Sequence, residues 1–398
     1  MNLSFMTSAE LTKKDKPTLD IRFIHHIDTI TVSEFNQLEH NQSPFLDHGF
    51  FLALEQQYCV GADSGWLPRY LTAYENGRLL AFAPCYIKTH SYGEYVFDFA
   101  WAEAYQRHKL NYYPKLLAAI PFTPVPGQRL ISSKPLSGEQ TQQIFDAIDG
   151  YLQQHGLSSM HWLFVAESQL QSLQQAGYVL RKSVQFHWFN HDYQSFDDFL
   201  ALCTSRKRKS IKRERKRVVD AQVEVTRIDG QSISEQEMHY FYQCYQSTYL
   251  KRSGHAGYLS EGFFQQLRQS MPDKLMLVLA RQHTKPVAAA LFLHDQSTLY
   301  GRYWGCLQEI DALHFECCFY QGIEYCIANR LELFNPGTQG EHKILRGFEP
   351  VWCYSAHKLT EPAFHDAVAH FVVQESSQLA LYKQQAQSLL PYKTAPTD

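Results

Sequence analysis

The sequence lacks the cysteine spacing of a metal site or of a disulfide framework. Its nine cysteines are odd in number and scattered, and none falls in a CxxC or CxxH motif. Structural zinc sites and small disulfide-stapled domains need such spacing. We therefore expect free buried thiols, no metal site and a reducing, cytoplasmic environment.

Long apolar runs and a strong net charge are absent too. Residues 1–20 contain Lys13, Lys14 and Asp15 but no apolar stretch, so we expect a frayed tail there and neither a secretory signal nor a membrane anchor. The formal net charge is −3 over 398 residues, which gives no overall attraction to nucleic acid or lipid. An integral membrane segment is not expected, whereas peripheral membrane contact stays open.

Aromatic residues are abundant, and some of them repeat. Tyr92-Gly93-Glu94-Tyr95 is echoed by Tyr300-Gly301-Arg302-Tyr303, 208 residues further on. Each tetrad follows a short turn and an apolar strand, and an aromatic-rich segment follows each at Tyr112 and Tyr320. So long a period indicates duplication of a whole domain, with each tetrad on a central strand that leads to a helix.

The pattern of elements is that of an α+β protein with mixed sheets. Asn76-Gly77 between two apolar runs predicts a hairpin, and hairpins alternate with helices and further strands in both halves. A helix is predicted over residues 114–120. Because one core rarely organises 398 residues, the predicted division is a first domain over 21–190, a second over 191–375 and a C-terminal helix and tail over 376–398.

The densest chemistry lies in a short loop bounded by two glycines. Glu341, His342, Lys343 and Arg346 could place an acid–base pair and two anion-binding groups around one substrate. The competing explanation is a surface loop whose ion pairs contribute little stability. The first three are candidate catalytic residues, and Arg346 is a candidate substrate-binding residue.

Further candidates lie on and after the second tetrad. Glu316 is a candidate catalytic residue, although a favourable position against a helix dipole explains it equally well. The adjacent Cys317 and Cys318 are more typical of a helix core than of nucleophiles. Buried charges among the other candidates need either a substrate or an internal ion pair. The candidate substrate-binding residues are Tyr300, Arg302, Trp304 and His314, with Asp98 and Trp101 in the first half.

Residues 205–217 (SRKRKSIKRERKR) form a basic segment in a nearly neutral chain. Nine cations are opposed there by Glu214 alone. As a helix, the segment could bind a polyanion such as tRNA or lipid phosphate, and a solvated face paired with acidic neighbours is the alternative. The candidate anion-binding residues are Arg206, Lys207, Arg208, Lys209, Lys212 and Arg213.

Several segments together resemble a known family over residues 21 to about 371. The chain resembles the bacterial peptidoglycan biosynthesis/recognition family, a FemAB-like branch of the GNAT superfamily. The segments that carry the resemblance are Ser43-Pro44-Phe45-Leu46, Tyr92-Gly93-Glu94-Tyr95-Val96-Phe97-Asp98, Tyr112-Tyr113-Pro114-Lys115-Leu116, Pro121-Phe122-Thr123-Pro124, Phe196-Asp197-Asp198-Phe199 with Arg206-Lys207-Arg208-Lys209, Tyr300-Gly301-Arg302-Tyr303-Trp304-Gly305, His314-Phe315-Glu316-Cys317-Cys318 and Gly340-Glu341-His342-Lys343.

The resemblance implies two tandem GNAT-like domains, each a splayed mixed sheet flanked by helices. In GNAT enzymes an amine attacks an activated acyl group held where two parallel strands splay apart, and the protein supplies orientation and a proton acceptor. Residues 305–312 stand where ordinary members carry a glycine-rich loop for the CoA pyrophosphate, and they lack that pattern. The implied acyl donor is acyl-CoA or aminoacyl-tRNA, and FemAB enzymes use the latter to extend peptidoglycan precursors.

Three hypotheses follow. The first is an acyl- or aminoacyl-transferase with a small or lipid-linked amine acceptor, its site in the second domain and a degenerate or acceptor-binding first domain. Glu341 or His342 would accept the amine proton, while Lys343 and Arg346 hold phosphate or carboxylate. The second is a non-catalytic module that recognises a cell-wall precursor or an anionic metabolite. The third is RNA binding by the basic segment alone, with a steep salt dependence.

Overall fold

The computed structural model describes residues 18–39, 42–338 and 340–393, so the expected tail over residues 1–20 lies almost wholly outside the described residues. The strands of the first half are β1 Asp20–Ile24, β2 Trp66–Pro68, β3 Tyr70–Glu75, β4 Arg78–Ala83, β5 Cys85–Lys88, β6 Lys115–Ala118, β7 Ile131–Ser132, β8 Ser159–Val165 and β9 Val179–Phe189. Those of the second half are β10 Val223–Asp229, β11 Leu275–Gln282, β12 Lys285–His294, β13 Thr298–Cys306, β14 Leu333–Asn335 and β15 Glu349–Leu359.

The helices vary from single turns to 27 residues. They are α1 Val32–Phe35, α2 His48–Gln56, α3 Phe99–Arg107, α4 Gly138–His155, α5 Leu170–Gln175, α6 Phe196–Leu202, α7 Ser205–Asp220, α8 Glu235–Ser253, α9 Glu261–Ser270, α10 Leu313–Phe315, α11 Gln321–Asn329 and α12 Pro362–Ser388. A π-helical turn, Glu316–Tyr320, joins α10 and α11 into one continuous helix, and Glu341–Arg346 is a short 3-10 helix.

Local sequence explains where the long helices begin and end. Ser137 caps α4 and Ser234 caps α8, each in a reciprocal capping box with the residue three positions on. Both helices stop at a glycine in the left-handed conformation, Gly156 and Gly254. These helices therefore have the boundaries that their own sequences encode.

The two halves share one order of elements. In the first, β6 and β8 pair in parallel and α4 crosses between them; in the second, β13 and β14 pair in parallel and the continuous α10–α11 helix crosses between them. A short helical segment and a long strand then complete each half, β9 in the first and β15 in the second. The shared order confirms the tandem GNAT-like duplication and makes β6 the counterpart of β13.

The prediction that both tyrosine tetrads mark a central strand is therefore wrong for the first copy. Gly93 and Tyr95 have φ values of +79° and +60°, which a pleated strand does not allow, and residues 92–98 form a loop. The predicted helix over residues 114–120 is instead β6, preceded by Tyr112 in an extended segment. Its apolar run is fully buried, and such a run has no period that separates a strand from a helix.

The halves exchange their last strands. The larger sheet has the order β10-β11-β12-β13-β14-β9-β15-β8-β6-β5-β2. Strand β9 of the first half thus lies between β14 and β15, and β15 of the second half lies between β8 and β9. A smaller sheet, β1-β3-β4-β7, flanks the first half. The predicted boundary near residue 190 stays a prediction, but the strands on either side of it form one continuous sheet.

Apolar packing covers this sheet on both faces. One core cluster joins α2 of the first half to α8 and α9 of the second, for example through Phe50 and Phe263, whose rings meet edge to face at 5.5 Å. The basic helix α7 buries Ile211 and Val218 against the second half. Among the described residues, no helix has the length and apolar character needed to cross a membrane.

The contact between α8 and β13 gives a test of this packing. A Cβ on Gly305 would lie 1.7 Å from the backbone oxygen of Cys244, so Gly305→Ala must push α8 off the sheet and is expected to lower the free energy of unfolding by about 3 kcal/mol. As a control, Gly150→Ala meets no atom within 4 Å on α4 and should stabilise by about 0.5–1 kcal/mol. Urea unfolding measures both, and an unchanged midpoint for Gly305→Ala would contradict the packing described.

Candidate functional site

The parallel strands β13 and β14 splay apart soon after they begin to pair. They are in register only from Thr298–Leu333 to Tyr300–Asn335, while β13 continues to Cys306. The chain turns away after β14 because Pro336 has no N–H to continue the ladder, and the side chain of Asn335 accepts a hydrogen bond from the N–H of Gly337 at 2.9 Å. An opening is left beside the second part of β13.

This opening leads into a cavity of about 530 Å³, called the first cavity below. The second half provides most of its wall: β12, β13, the end of α8, the start of the α10–α11 helix, residues 336–338 and residues 340, 342 and 343. Of the residues predicted from the sequence as catalytic or substrate-binding, the first cavity brings together Arg302, Trp304, His314, His342 and Lys343.

The charge of the first cavity has one sign. Arg252, Arg302 and Lys343 line it, and its lining contains neither aspartate nor glutamate. Arg302 and Arg252 form no ion pair with any described carboxylate, and Nε of Arg302 lacks a hydrogen-bond partner. Burial lowers the pKa of Lys343 to about 7, and its Nζ donates to the carbonyl oxygens of Gly337 at 2.7 Å and Thr338 at 3.2 Å. A site of this kind favours an anionic ligand.

Two histidines lie side by side in the same cavity. The rings of His314 and His342 are 5.8 Å apart, and His314 packs edge-on against Trp304 at 5.3 Å. Burial lowers the pKa of His314 to about 3. Burial also lowers the pKa of His342, and the nearby charges of Lys343, Arg346 and Arg252 lower it further. Both imidazoles are therefore neutral near pH 7, and the exposed His342 can accept a proton.

The first half closes the other side of the first cavity. Tyr95 and Pro124 line it, and Phe122 stacks on Tyr258 with ring centroids 4.8 Å apart. The guanidinium of Arg302 donates to the carbonyl oxygen of Phe122 at 2.5 Å. The site thus depends on both halves of the chain.

One buried arginine, Arg129, fixes the loop of the first half that reaches the first cavity. Arg129 is only 2% exposed and donates to the carbonyl oxygens of Val125 at 2.6 Å, Leu163 at 2.8 Å and Gln128 at 3.0 Å. These bonds join residues 125–128 to strand β8. The loop that carries Phe122 and Pro124 is therefore tied to the sheet of the first half.

Sequence reasoning missed several residues of the first cavity. Tyr245, Tyr249 and Arg252 lie near the end of α8, and Tyr258 follows it. Their spacing of three to four residues predicts one helix face, but nothing local shows that this face turns toward the splayed strands. The one sequence signal for these residues was the high number of tyrosines at and after the end of α8.

The structure places three of the predicted loop and helix residues outside the first cavity. Glu316 is 5% exposed and accepts two hydrogen bonds from Arg215, at 2.9 and 3.0 Å. Arg346 pairs with Glu214 at 2.9 Å and donates to the carbonyl oxygen of His342 at 2.7 Å. Glu341 faces a smaller neighbouring cavity. Their predicted roles stay predictions, while the contacts of Arg346 join the basic helix to the loop of His342.

The remaining predicted substrate-binding residues are also away from the first cavity. Tyr300 donates to Asp295 at 2.7 Å and packs against Phe45. Asp98 and Trp101 belong to a buried cluster in the first half. There Lys115, which is inaccessible to solvent, forms ion pairs with Asp98 and with Glu94, the latter at 2.9 Å. Glu94 and Asp98 belong to the loop that also carries Tyr95, so Lys115 ties this loop to β6.

The basic helix α7 is divided into a paired and an unpaired part. Arg215, Arg217, Lys212 and Lys216 form ion pairs with carboxylates, including Arg217 with Asp311 at 2.9 Å. The other cations have no carboxylate within ion-pair distance among the described residues; they are Arg206, Lys207, Arg208, Lys209 and Arg213. Helix α7 therefore carries positive charge that no described carboxylate neutralises.

The cysteines beside the site are not activated. Cys318 lines the first cavity, and burial raises the pKa of the Cys317 and Cys318 thiols well above the ordinary value. A thiolate nucleophile is not favoured there. The N-cap residue of α10, Ala312, is left-handed with φ of +64° and makes no side-chain capping hydrogen bond.

Comparison with known proteins agrees with this architecture. The sequence model of the FemAB-like family, described as peptidoglycan biosynthesis/recognition, matches residues 26–394. No curated protein matches the chain significantly in sequence.

Two crystal structures are similar over most of the chain. FemX is 11% identical with a TM-score of 0.52, covering 85% of this chain and 98% of FemX. The C-terminal domain of a protein from Agrobacterium fabrum, provisionally named lysylphosphatidylglycerol synthetase, is 11% identical with a TM-score of 0.51, covering 85% of this chain and 94% of that domain. At this identity the similarity establishes the fold alone.

The buried cluster of the first half is expected to be structural. Lys115→Met would leave the carboxylates of Glu94 and Asp98 buried without their cation, at a cost of about 3–5 kcal/mol in the free energy of unfolding. The control Lys134→Met removes an ion pair with Glu75 in which the lysine side chain is 53% exposed and should cost less than about 1 kcal/mol. Chemical denaturation compares them, and equal stabilities would contradict this assignment.

Proposed function

Because the chain belongs to the FemAB-like peptidoglycan biosynthesis/recognition family, we propose that it is a transferase that moves an acyl or aminoacyl group onto an amine acceptor. The first cavity is the reaction site in this proposal. The acceptor belongs to the peptidoglycan precursors or to another amine-bearing cell-wall molecule.

A single observation carries the proposal. The first cavity opens where β13 and β14 splay apart, and it combines a neutral proton acceptor, His342, with the positive charges of Arg302 and Lys343. Positive charge in a partly buried site stabilises the oxyanion that forms when an amine attacks a carbonyl. The splay gives an acyl group access to the edge of β13, and the first half covers it from the other side.

The reaction needs no covalent enzyme intermediate. The amine nitrogen forms a bond to the carbonyl carbon, and the bond from that carbon to the oxygen or sulfur of the donor breaks. The amine attacks in its neutral form; one proton passes from its nitrogen to His342 and from His342 to the leaving oxygen or sulfur. The protein contributes orientation, a base and charge stabilisation.

Aminoacyl-tRNA is the donor that the basic helix α7 favours. In this proposal the five unpaired cations of α7 contact the phosphates of the tRNA. That helix also contacts the reaction site, since Glu214 holds Arg346, and Arg346 in turn holds the carbonyl oxygen of His342. Residues 305–312 provide no glycine-rich loop to bind the pyrophosphate of acyl-CoA.

A direct assay separates these possibilities. The purified protein is incubated with aminoacyl-tRNA or acyl-CoA and a panel of amine-bearing muropeptides, and products are identified by mass spectrometry. An aminoacylated product supports the proposal, and an acylated product from acyl-CoA changes the donor. Muropeptide binding without product from either donor would instead support the non-catalytic module.

Replacing His342 tests the base. His342→Gln should lower kcat by about 10²–10³ with a smaller effect on KM, because the proton acceptor is lost. In the native protein kcat should rise with pH through a pKa below 6.5, as His342 becomes neutral, and fall near pH 7, as Lys343 loses its charge.

The control for this variant is His283→Gln, on the turn between β11 and β12, which should keep native kcat and the native pH profile. If His342→Gln keeps the rising limb of the profile, then another group is the base.

The basic helix can be tested with two matched pairs of cations. Lys209 and Arg213 are exposed, unpaired and one helical turn apart. Replacing both with Gln should weaken tRNA binding and reduce the slope of log affinity against log salt by about one to two. The control replaces Lys212 and Lys216, which are also one turn apart but already paired with Asp197 and Asp220. Equal losses in the two double variants would argue against a specific tRNA surface.

A further inference from the structure

Glu214 is the single acidic residue of the basic segment 205–217, and its partner lies outside that segment. Both of its carboxylate oxygens accept hydrogen bonds from Arg346, at 2.9 and 3.2 Å, and the hydroxyl of Tyr320 donates to the same carboxylate. The side chains of Glu214 and Arg346 are only 16% and 7% exposed. Because desolvation offsets most of the attraction in a buried ion pair, the role of this pair lies in the geometry that it fixes.

Arg346 is the last residue of the short 3-10 helix 341–346, which carries His342. Its third guanidinium nitrogen donates to the carbonyl oxygen of His342 at 2.7 Å. The guanidinium also lies over the ring of Phe315 in α10, with 3.3 Å between its central carbon and the ring centroid. All three nitrogens thus have partners, and a planar guanidinium bound in this way has little freedom to move. Arg346 therefore connects α7 and α10 to the backbone of His342.

The loop around this short helix needs such an anchor. Gly340 and Gly347 bound it, with φ values of +99° and +88°. Because glycine has access to many backbone conformations, the two ends do not by themselves determine where the helix 341–346 lies. Lys343 fixes one side of the loop through the carbonyl oxygens that precede it, and Arg346 fixes the other side.

The imidazole of His342 has little room to shift. Its ring centroid lies 5.6 Å from that of Phe319 and 5.8 Å from that of His314. On another side, a Cβ on Gly340 would approach Cε1 of the ring to 2.3 Å. Movement of the loop therefore takes the imidazole out of this packing, and a misplacement of about 1 Å can lower a catalytic rate by about 10².

We infer that Arg346 is a positioning residue for the base His342 and that Glu214 holds Arg346 in place. Helix α7, which contacts the donor in the proposed function, then also aligns the base. This inference rests on the proposed function for the role of His342 as a base. Neither Arg346 nor Glu214 touches the reacting atoms, and both act through the position of the loop.

Charge and position predict different results for the same variant. The charged or titratable groups around His342 are Glu341, Lys343 and Arg346 on its own loop, Cys318 in the π-helical turn, His314 on α10 and Arg252 on α8. Arg346 is one of the cations that lower the pKa of His342, so Arg346→Gln should raise this pKa and make the imidazole a stronger base. Glu214→Gln leaves Arg346 without its counter-ion and should lower the pKa of His342 further.

The kinetic test compares the two variants, each at its own optimal pH. Both should lower kcat by about tenfold or more, with a smaller effect on KM, because each displaces the base. If Arg346 acted through its charge alone, Arg346→Gln would keep or raise kcat. The control Arg281→Gln breaks a partly buried ion pair with Glu237 at 3.1 Å on β11, away from the first cavity, and should keep native kcat. Native or higher kcat in either variant of the Glu214–Arg346 pair overturns the inference.

NMR of the protein labelled with ¹³C at Cε1 of histidine reports on the imidazole without any reaction. The signal of His342 is the one that disappears in His342→Gln. In the native protein and in Arg281→Gln, this signal should show nuclear Overhauser contacts to the ring of Phe319. Glu214→Gln and Arg346→Gln should each lose these contacts, and contacts that persist in either variant overturn the inference.

The same spectra show whether each variant is folded. His161 and His357 are buried on the neighbouring strands β8 and β15, with 2.7 Å between their Nδ1 atoms, and their signals should stay as in the native protein. If Arg346→Gln does not fold, Glu214→Gln alone decides the test, because it keeps the size of the side chain and removes only its charge.

The outcomes also distinguish this inference from the proposed function. If the contacts of His342 are lost in both variants but no donor yields product with the native protein, the positioning of the imidazole stands and the transferase proposal fails. If transfer occurs and the two variants keep native kcat and native contacts, the transferase stands and the inference fails.

Discussion

The structure depends above all on the backbone ladder between the exchanged strands β9 and β15. Nine residues of β9 pair in register with β15, from His187 opposite Glu349 to Val179 opposite His357. Backbone hydrogen bonds of this kind are obligatory once the strands are buried, so neither half can complete its sheet without the last strand of the other. Two copies of one ancestral unit become one continuous sheet as a result.

The exchange also builds the site. It brings Tyr95 and the loop of Phe122 from the first half against the splayed strands of the second, where Arg302 binds the carbonyl oxygen of Phe122. It places β9 and β15 beneath α12, which closes the smaller cavity next to the first. The first cavity collects Arg252, Arg302 and Lys343 without a carboxylate. The smaller cavity is lined by Glu341 and Glu375 together with two cations.

Much of this could be predicted from the sequence, and the failures have physical reasons. The charged loop of His342 and Lys343 was predicted as chemically dense, and the structure places both in the first cavity. Glu316 and Arg346 share the same local patterns, yet their charges are paired with Arg215 and Glu214 on the basic helix. Charge and spacing predict that a buried ion needs a partner but do not determine which one it contacts.

By itself the sequence determined the α+β class, the hairpins, the capped helices and the presence of two related halves, because turns, caps and hydrophobic periods act between residues close in the chain. Only the tertiary structure decided that β6 is the counterpart of β13, that the last strands are exchanged and that Tyr95 and Arg302 share a cavity. The strand exchange and the shared cavity join segments roughly 160 to 210 residues apart, and they depend on how sheet edges and buried charges are satisfied together.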